Sequence, residues 1–190
     1  MKLLLTAFGP FGGRNLNASS LALAGLRKAL PGIHTRVMPV DAVIAPSRLK
    51  QAIRKIRPNA LIMLGEASGS REIRLETTAW NQIDFRVPDI AGRLHCSRPI
   101  RRNAPASLSS TLPLKEIHER LLALGYPVAF SQDPGRYLCN LLFFRALDDL
   151  AQNGIAIPAG FIHLPLESDL PTNRAVAAIS EVMYILHPIA

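Results

Sequence analysis

Residues 2–65 alternate short, continuous apolar runs with longer stretches of helical period, and that alternation constrains the fold more than any other feature of the chain. Lys2 to Ala7 is apolar apart from Lys2 and Thr6 and is stopped by Pro10 and a cluster of glycines, which reads as a buried strand. Asn17 can cap the next element. From Ala18 to Leu30, Leu21, Leu23, Ala24, Leu26 and Leu30 recur near helical spacing until Pro31-Gly32 ends the pattern. Thr35 to Val40 then reads as a strand, Pro46 to Ile56 as a helix with proline at its start, and Ala60 to Gly65 as a buried strand. Strand, helix, strand, helix, strand predicts an α/β fold with a mostly parallel sheet.

Further along, Ile73, Leu75 and Thr77 alternate with Arg74, Glu76 and Thr78 as in a half-buried strand. From Asn81 to Leu112, Pro88, Pro99 and Pro105 interrupt any period, so this segment reads as an excursion of loops and short strands. Regularity returns in a helix near Lys115 to Ala123, a short strand at Val128 to Phe130 and a helix from about Arg136 to Ala151. A strand from Gly160 to Leu164 and a helix near Thr172 to Leu186 follow. There is no internal repeat or long linker, and 190 residues suffice for one buried core, so residues 1–190 read as a single domain.

The charge balance invites a nucleic-acid reading: 22 Lys+Arg against 14 Asp+Glu give a net charge of +8. Arg93, Arg98, Arg101 and Arg102 put half of that charge into one ten-residue segment. The segment has no interleaved aromatic side chains for base stacking and no helical spacing for groove entry. It is read as a solvated basic loop, with no nucleic-acid partner. The longest apolar run of a helix, Leu138 to Phe144, is broken by Asn140 and followed by Arg145, so no membrane partner is expected. The apolar start meets Pro10 too soon for a signal peptide, which points to the cytoplasm. There, Cys96 and Cys139 are expected as free thiols.

In an open α/β sheet, ligands sit outside the carboxyl ends of the strands. The first such end, Ala7-Phe8-Gly9-Pro10-Phe11-Gly12-Gly13, lacks the Lys and Ser/Thr of a phosphate loop, and Pro10 removes a backbone donor. Phe8 and Phe11 on a sharp turn suit a flat, mostly apolar ring, or else plug the core beneath the loop. The turn Asp133-Pro134-Gly135-Arg136-Tyr137-Leu138-Cys139-Asn140 places Cys139 near a helix start, where backbone N–H groups and the helix dipole favour a thiolate. Cys96, in the basic loop, has no helix start behind it. A thiol nucleophile needs a base, and His163 ends a strand, whereas His34, His95, His118 and His187 are less well placed. Glu76, in a half-buried strand, is the candidate to orient the imidazole. Glu76, Asp84, Cys139 and His163 show no metal-ligand spacing, so no metal is expected. Taken singly, Phe8 and Phe11 read equally well as structural, and Cys139, His163 and Glu76 each read more readily as structural than as catalytic.

Five segments in order carry a stronger signal. They are Thr6-Ala7-Phe8-Gly9-Pro10-Phe11-Gly12-Gly13 with Asn17; Glu76 with Asn81, Asp84, Arg86, Pro88 and Asp89; Ser110-Thr111-Leu112-Pro113; Gly135-Arg136-Tyr137-Leu138-Cys139-Asn140; and Gly160-Phe161-Ile162-His163-Leu164-Pro165. Together they resemble the pyroglutamyl-peptidase I family, also called pyrrolidone-carboxylate peptidases.

The resemblance implies a single-domain three-layer α/β/α sandwich with a mostly parallel mixed sheet, of the phosphorylase/hydrolase-like kind. It implies a cysteine omega-peptidase that hydrolyses the amide after an N-terminal pyroglutamyl residue through a thioester acyl-enzyme, without metal or organic cofactor. By the same resemblance Cys139 is the nucleophile, His163 the general base and acid, and Glu76 the third member of the triad. Phe8 and Phe11 pack on the pyrrolidone ring, Asn17 is a polar residue beside that pocket, and Arg86 is a cation near the nucleophile. The partners implied are peptides with N-terminal pyroglutamate and further copies of the chain, in a tetramer.

Several positions depart from the family pattern. Ala7 stands for Gly, Gly9 for an acidic residue, Ala18 for the Pro that follows Asn, and Thr77 for the Arg that follows the triad Glu. Glu66 lies in a loop forming the pocket, and Pro134 replaces a small residue and removes an N–H from the turn before the nucleophile. These departures also support a second expectation, a divergent member with altered or lost activity that binds a lactam or peptide.

Overall fold

The computed structural model of the chain describes residues 2–186. Its elements run β1 (Leu3–Phe8), α1 (Ala18–Ala29), β2 (His34–Met38), α2 (Ile44–Ile56), β3 (Ala60–Glu66), β4 (Ile73–Glu76) and β5 (Thr78–Trp80). There follow β6 (Ser107–Ser109), α3 (Leu114–Ala123), β7 (Val128–Ser131), α4 (Leu138–Gln152), β8 (Ala159–Leu164) and α5 (Thr172–Leu186). His187 lies outside the described residues.

The main sheet has the order β2-β1-β3-β8-β4-β7, and β5 pairs with β6 in a small second sheet. Neighbours β2/β1, β1/β3, β3/β8 and β4/β7 are parallel, whereas β4 runs antiparallel to β8. The sheet is therefore mixed and mostly parallel. Strands β1 and β8 are buried along their whole length, and β3 is buried up to its last residue. Strands covered on both faces read as unbroken apolar runs, which is why these three were visible in the sequence.

Helices α1, α3 and α5 pack on one face of the sheet, and α2 and α4 on the other, each face enclosing its own apolar cluster. This is a three-layer α/β/α sandwich. Helix α4 is held chiefly by burial of Leu138, Leu141, Leu142, Phe143, Phe144, Leu147 and Leu150. At about 1.5–3 kcal/mol for each large apolar side chain, that packing outweighs any helix propensity of the segment.

Local chemistry moves two helix starts from where periodicity puts them. Helix α2 begins at Ile44 rather than Pro46 because Asp41 Oδ1 accepts the N–H groups of Val43 (2.8 Å) and Ile44 (2.7 Å). Pro46 falls in the first turn, where its missing N–H leaves no bond unmade. Helix α4 begins at Leu138 rather than Arg136, since Gly135 takes a left-handed φ of 78° and Tyr137 is extended. The single strand expected through Thr77 is two. Thr77 donates to Ser131 O and accepts from Ser110 N–H, and there the chain leaves the main sheet for the small one.

Candidate active site

Cys139 is the second residue of α4 and is partly buried. The N–H groups of Leu138, Cys139 and Asn140, in the first turn, have no acceptor among the described residues. Such a turn concentrates donors and the positive end of the helix dipole beside the Cys139 thiol. Pro134 lies ahead of this turn and removes none of its donors. The helix start is fixed by Asn140, fully buried one residue further on. Its Oδ1 accepts Trp80 N–H (2.8 Å), and its Nδ2 donates to the carbonyls of Trp80 (2.9 Å) and Gln82 (2.8 Å). Asp84 N–H adds a bond to Arg136 O.

His163 is buried near the end of β8, and its Nδ1 lies 2.8 Å from Oε1 of Glu76, which is wholly inaccessible. With Nδ1 engaged by Glu76, the nitrogen left to face the Cys139 sulfur is Nε2. Burial alone would hold the imidazole neutral. The negative charge and hydrogen bond of Cys139, followed by the hydrogen bond and charge of Glu76, outweigh it and push the His163 pKa up to about 9. Arg74 Nε stands 3.4 Å from the same Glu76 oxygen, while Glu76 Oε2 has no partner among the described residues. A buried carboxylate so incompletely solvated gains most from a protonated neighbour. Thiol, imidazole and carboxylate thus form a series that can accept the thiol proton and stabilise the resulting ion pair.

Room for the imidazole comes from Gly65, its register partner on β3. A Cβ there would lie 2.7 Å and 2.8 Å from Phe161 ring carbons and 2.9 Å from His163 Cδ2.

In front of the sulfur lies a cavity of about 280 Å³ lined by Phe8, Phe11, Gly12, Arg14, Asn17, Val40, Glu66, Tyr137, Leu138 and Cys139. Asn17 caps α1, its Oδ1 accepting from Ser19 N–H (3.0 Å) and Ser19 Oγ (2.6 Å), so only its amide nitrogen remains for the cavity. Phe11 and Phe85 both pack against Tyr137 in tilted contacts, at centroid separations of 5.6 Å and 4.5 Å. The Tyr137 hydroxyl donates to Pro88 O (3.1 Å). Burial, with the charges of Asp89 and Cys139, raises its pKa to about 12, so it stays neutral.

Cys139, Phe8, Phe11 and Asn17 therefore line one cavity, and His163 and Glu76 stand behind the sulfur. Arg86 does not join them: it is exposed and absent from the cavity lining. Sequence reasoning passed over Tyr137, Arg14 and Asn140 as site residues, although Tyr137 and Asn140 flank Cys139 in the turn and Arg14 follows the glycines after Phe11. A larger cavity, about 630 Å³, lies between α2 and α4 and contains none of the candidate residues.

The basic loop spends much of its charge internally. Arg93 bridges Asp41 (3.0 Å) and Asp89 (3.2 Å), Arg101 grips Asp148 through two nitrogens (2.6 and 2.8 Å), and Arg98 meets His95. Cys96 is exposed within it. Among the described residues no group of three or more His, Cys, Asp or Glu is placed to hold a metal, and no helix is long and apolar enough to cross a membrane.

Comparison with known proteins points the same way as the geometry. The family model described as Pyroglutamyl peptidase matches residues 1–180. A pyrrolidone-carboxylate peptidase of Thermoanaerobacter sp. (strain X514) is 34% identical over 167 residues, covering 87% of this chain and 82% of that one. One from Pyrococcus furiosus is 36% identical over 168 residues, covering 87% and 81%. The crystal structure of Bacillus amyloliquefaciens pyroglutamyl peptidase I superposes with a TM-score of 0.92 at 30% identity, covering 99% of this chain and 97% of that one.

Proposed function

The chain belongs to the pyroglutamyl peptidase family, and from that premise we propose that it hydrolyses the amide bond after an N-terminal pyroglutamyl residue, with Cys139 as nucleophile, His163 as general base and acid, and Glu76 orienting and charging the imidazole. The observation that carries the reading is the buried Glu76–His163 hydrogen bond, its imidazole electrostatically coupled to Cys139, beside a cavity that Cys139 lines together with Phe8, Phe11 and Tyr137.

In this mechanism the uncharged pyrrolidone ring sits against the aromatic faces and presents its exocyclic carbonyl to the sulfur. The Cys139 proton passes to His163, and the thiolate adds to the carbonyl carbon. The oxyanion that forms faces the unpaired N–H groups at the start of α4, which stabilise charge only as it develops. Collapse breaks the C–N bond, and the leaving amine takes the proton from His163, leaving a thioester between pyroglutamate and Cys139. His163 next takes a proton from water as its oxygen attacks the thioester. Expulsion of the sulfur releases free pyroglutamate, and the proton returns to restore the thiol–imidazole pair.

Release of a fluorogenic amine from a pyroglutamyl amide tests the assignment. Cys139→Ala is expected to be inert and Cys96→Ala close to wild type, and acid quenching of the wild-type reaction should trap a pyroglutamyl adduct on Cys139. Equal activity in the two variants would sink the assignment of the nucleophile.

A further inference from the structure

Two charged residues stand in a pocket whose other lining side chains are uncharged and mostly apolar or aromatic. Glu66, the last residue of β3, has a side chain only 9% exposed, and Arg14, in the loop after Phe11, has one 46% exposed. The guanidinium meets both carboxylate oxygens, Nη1 on Oε1 and Nη2 on Oε2 at 3.3 Å. Glu66 Oε2 also accepts the N–H of Ala18 at 2.6 Å, the first residue of α1. The carboxylate thus ties the Phe8–Phe11 loop, the start of α1 and the end of β3 together, and most of its acceptor capacity is used in doing so. The guanidinium is only partly used. Of its five N–H donors two face Glu66, and the others have no partner among the described residues.

Of the remaining polar side chains of the cavity, the Tyr137 hydroxyl is committed to Pro88 O and Asn17 Oδ1 to Ser19, which leaves the Asn17 amide nitrogen as a second, uncharged donor. A pyroglutamyl ring differs from a prolyl ring by a ring carbonyl and by the loss of the ammonium charge. The guanidinium distinguishes the two twice over, because its unused N–H groups donate to the carbonyl and its charge cancels that of the Glu66 carboxylate, which would otherwise attract the ammonium. A lone carboxylate at Glu66 would do the reverse.

Building on the proposed pyroglutamyl specificity, we propose that Arg14 determines specificity in the ring pocket, donating to the ring carbonyl of the substrate and cancelling the Glu66 charge that would favour an unblocked N-terminus, while Glu66 positions its guanidinium. A hydrogen bond from a charged donor to a buried acceptor carries enough energy for a tenfold or larger effect on binding.

The test is a set of kcat and KM measurements on pyroglutamyl and prolyl amides of one fluorogenic amine. Arg14→Ala is expected to raise KM for the pyroglutamyl amide about tenfold, with kcat moving less than about threefold. Preference for the pyroglutamyl over the prolyl amide should fall by at least the same factor, and Arg14→Lys should recover part of it. Glu66→Gln keeps an acceptor for Ala18 N–H, so it should fold; it is expected to raise KM alone, but in the Arg14→Ala background to lower KM or leave it unchanged, because there it only removes an unpaired carboxylate. The rate of Cys139 alkylation by iodoacetamide should be the same in wild type and Arg14→Ala. An active wild type whose KM and preference survive Arg14→Ala overturns this proposal alone, as does a fall in the alkylation rate. Additive effects of the two substitutions overturn the role of Glu66. A wild type inert on pyroglutamyl amides overturns the proposed function and this inference together.

Discussion

Nδ1 of His163 lies 2.8 Å from Oε1 of Glu76, although the two residues are 87 positions apart and stand on antiparallel strands. The pair is closed from solvent and coupled to Cys139, so the protonation state of His163 sets the pH range in which the thiolate–imidazolium pair exists.

Activity should therefore persist through neutral pH and fall on the alkaline side as His163 loses its proton, with an apparent pKa near 9. Glu76→Gln removes an anion that favours the imidazolium, so the alkaline limb should move to lower pH and kcat should drop. For stability the sign is the same. The folded pKa is above the unfolded value of 6.5, so the contribution of His163 is complete below about 6.5 and is lost as pH rises through about 9. A pH–rate profile and thermal midpoints from pH 6 to 10, for wild type and Glu76→Gln, check both; an alkaline limb that does not move removes Glu76 from the charge balance.

Gly65→Ala places a methyl group against the Phe161 and His163 rings at distances no real Cβ contact tolerates. Both rings belong to a packed core, so the backbone or His163 must shift. We expect a loss of about 1–3 kcal/mol in stability from overpacking and a fall in kcat of tenfold or more. Chemical denaturation and steady-state kinetics measure the two. Wild-type kcat in a folded variant would show that the imidazole position is not set by this strand.

Asn140→Ala leaves the N–H of Trp80 and the carbonyls of Trp80 and Gln82 unpaired in a buried site. At about 1–3 kcal/mol for each buried group left unsatisfied, water entry limiting the sum, the expected cost is about 2–4 kcal/mol. Because the same bonds fix the start of α4, kcat should fall more than KM rises. Asn140→Asp, which keeps the acceptor for Trp80 N–H, should recover little, since it loses both donors and buries a charge. An Asn140→Ala protein of wild-type stability would contradict this.

Asp41 and Asp89 bracket Arg93 and hold the 86–95 loop, which carries the Tyr137 partner Pro88. Burial opposes ionisation of both. It is outweighed by backbone N–H groups, from Ala42, Arg93 and Ala91 at Asp89 and from Ile44 and Val43 at Asp41, together with the Arg93 guanidinium, which hold both carboxyl groups below the ordinary aspartate value of 3.8. Depressed folded values stabilise the protein above about 3.8, and that stability is lost as pH falls through them. Acid unfolding should be less steep in Asp89→Asn than in wild type, and its thermal midpoint at pH 7 lower. Parallel midpoint curves between pH 2 and 5 would rule out Asp89 as a contributor.

Much of the site was legible as residue types in sequence, and less of it as geometry. Cys139 was readable because a turn and a helix start are local features, spelled by Gly135 and the apolar residues after it. Asn17 was readable as a cap for the same reason. The rule that ligands gather at the carboxyl ends of parallel strands led to Phe8 and His163 and holds for them. It does not describe Glu76, which comes from antiparallel β4, or Cys139, which follows β7 running with β4. Arg86 sits in the excursion between β5 and β6, where no period fixes a side chain's direction, and it is exposed.

The sequence by itself determined which stretches form strands and helices, since apolar periodicity, caps and turn residues act over a few neighbours. It also determined which side chains are available for chemistry. The tertiary structure decided the direction of β4 and β7, and hence the meeting of Glu76 with His163. It turned Asn140 inward to hold the helix start and paired Arg14 with Glu66. It neutralised much of the basic loop through Asp41, Asp89 and Asp148. Each of these is a contact between residues remote in the chain, fixed by burial and by the need of buried polar groups for partners, and no local pattern encodes it.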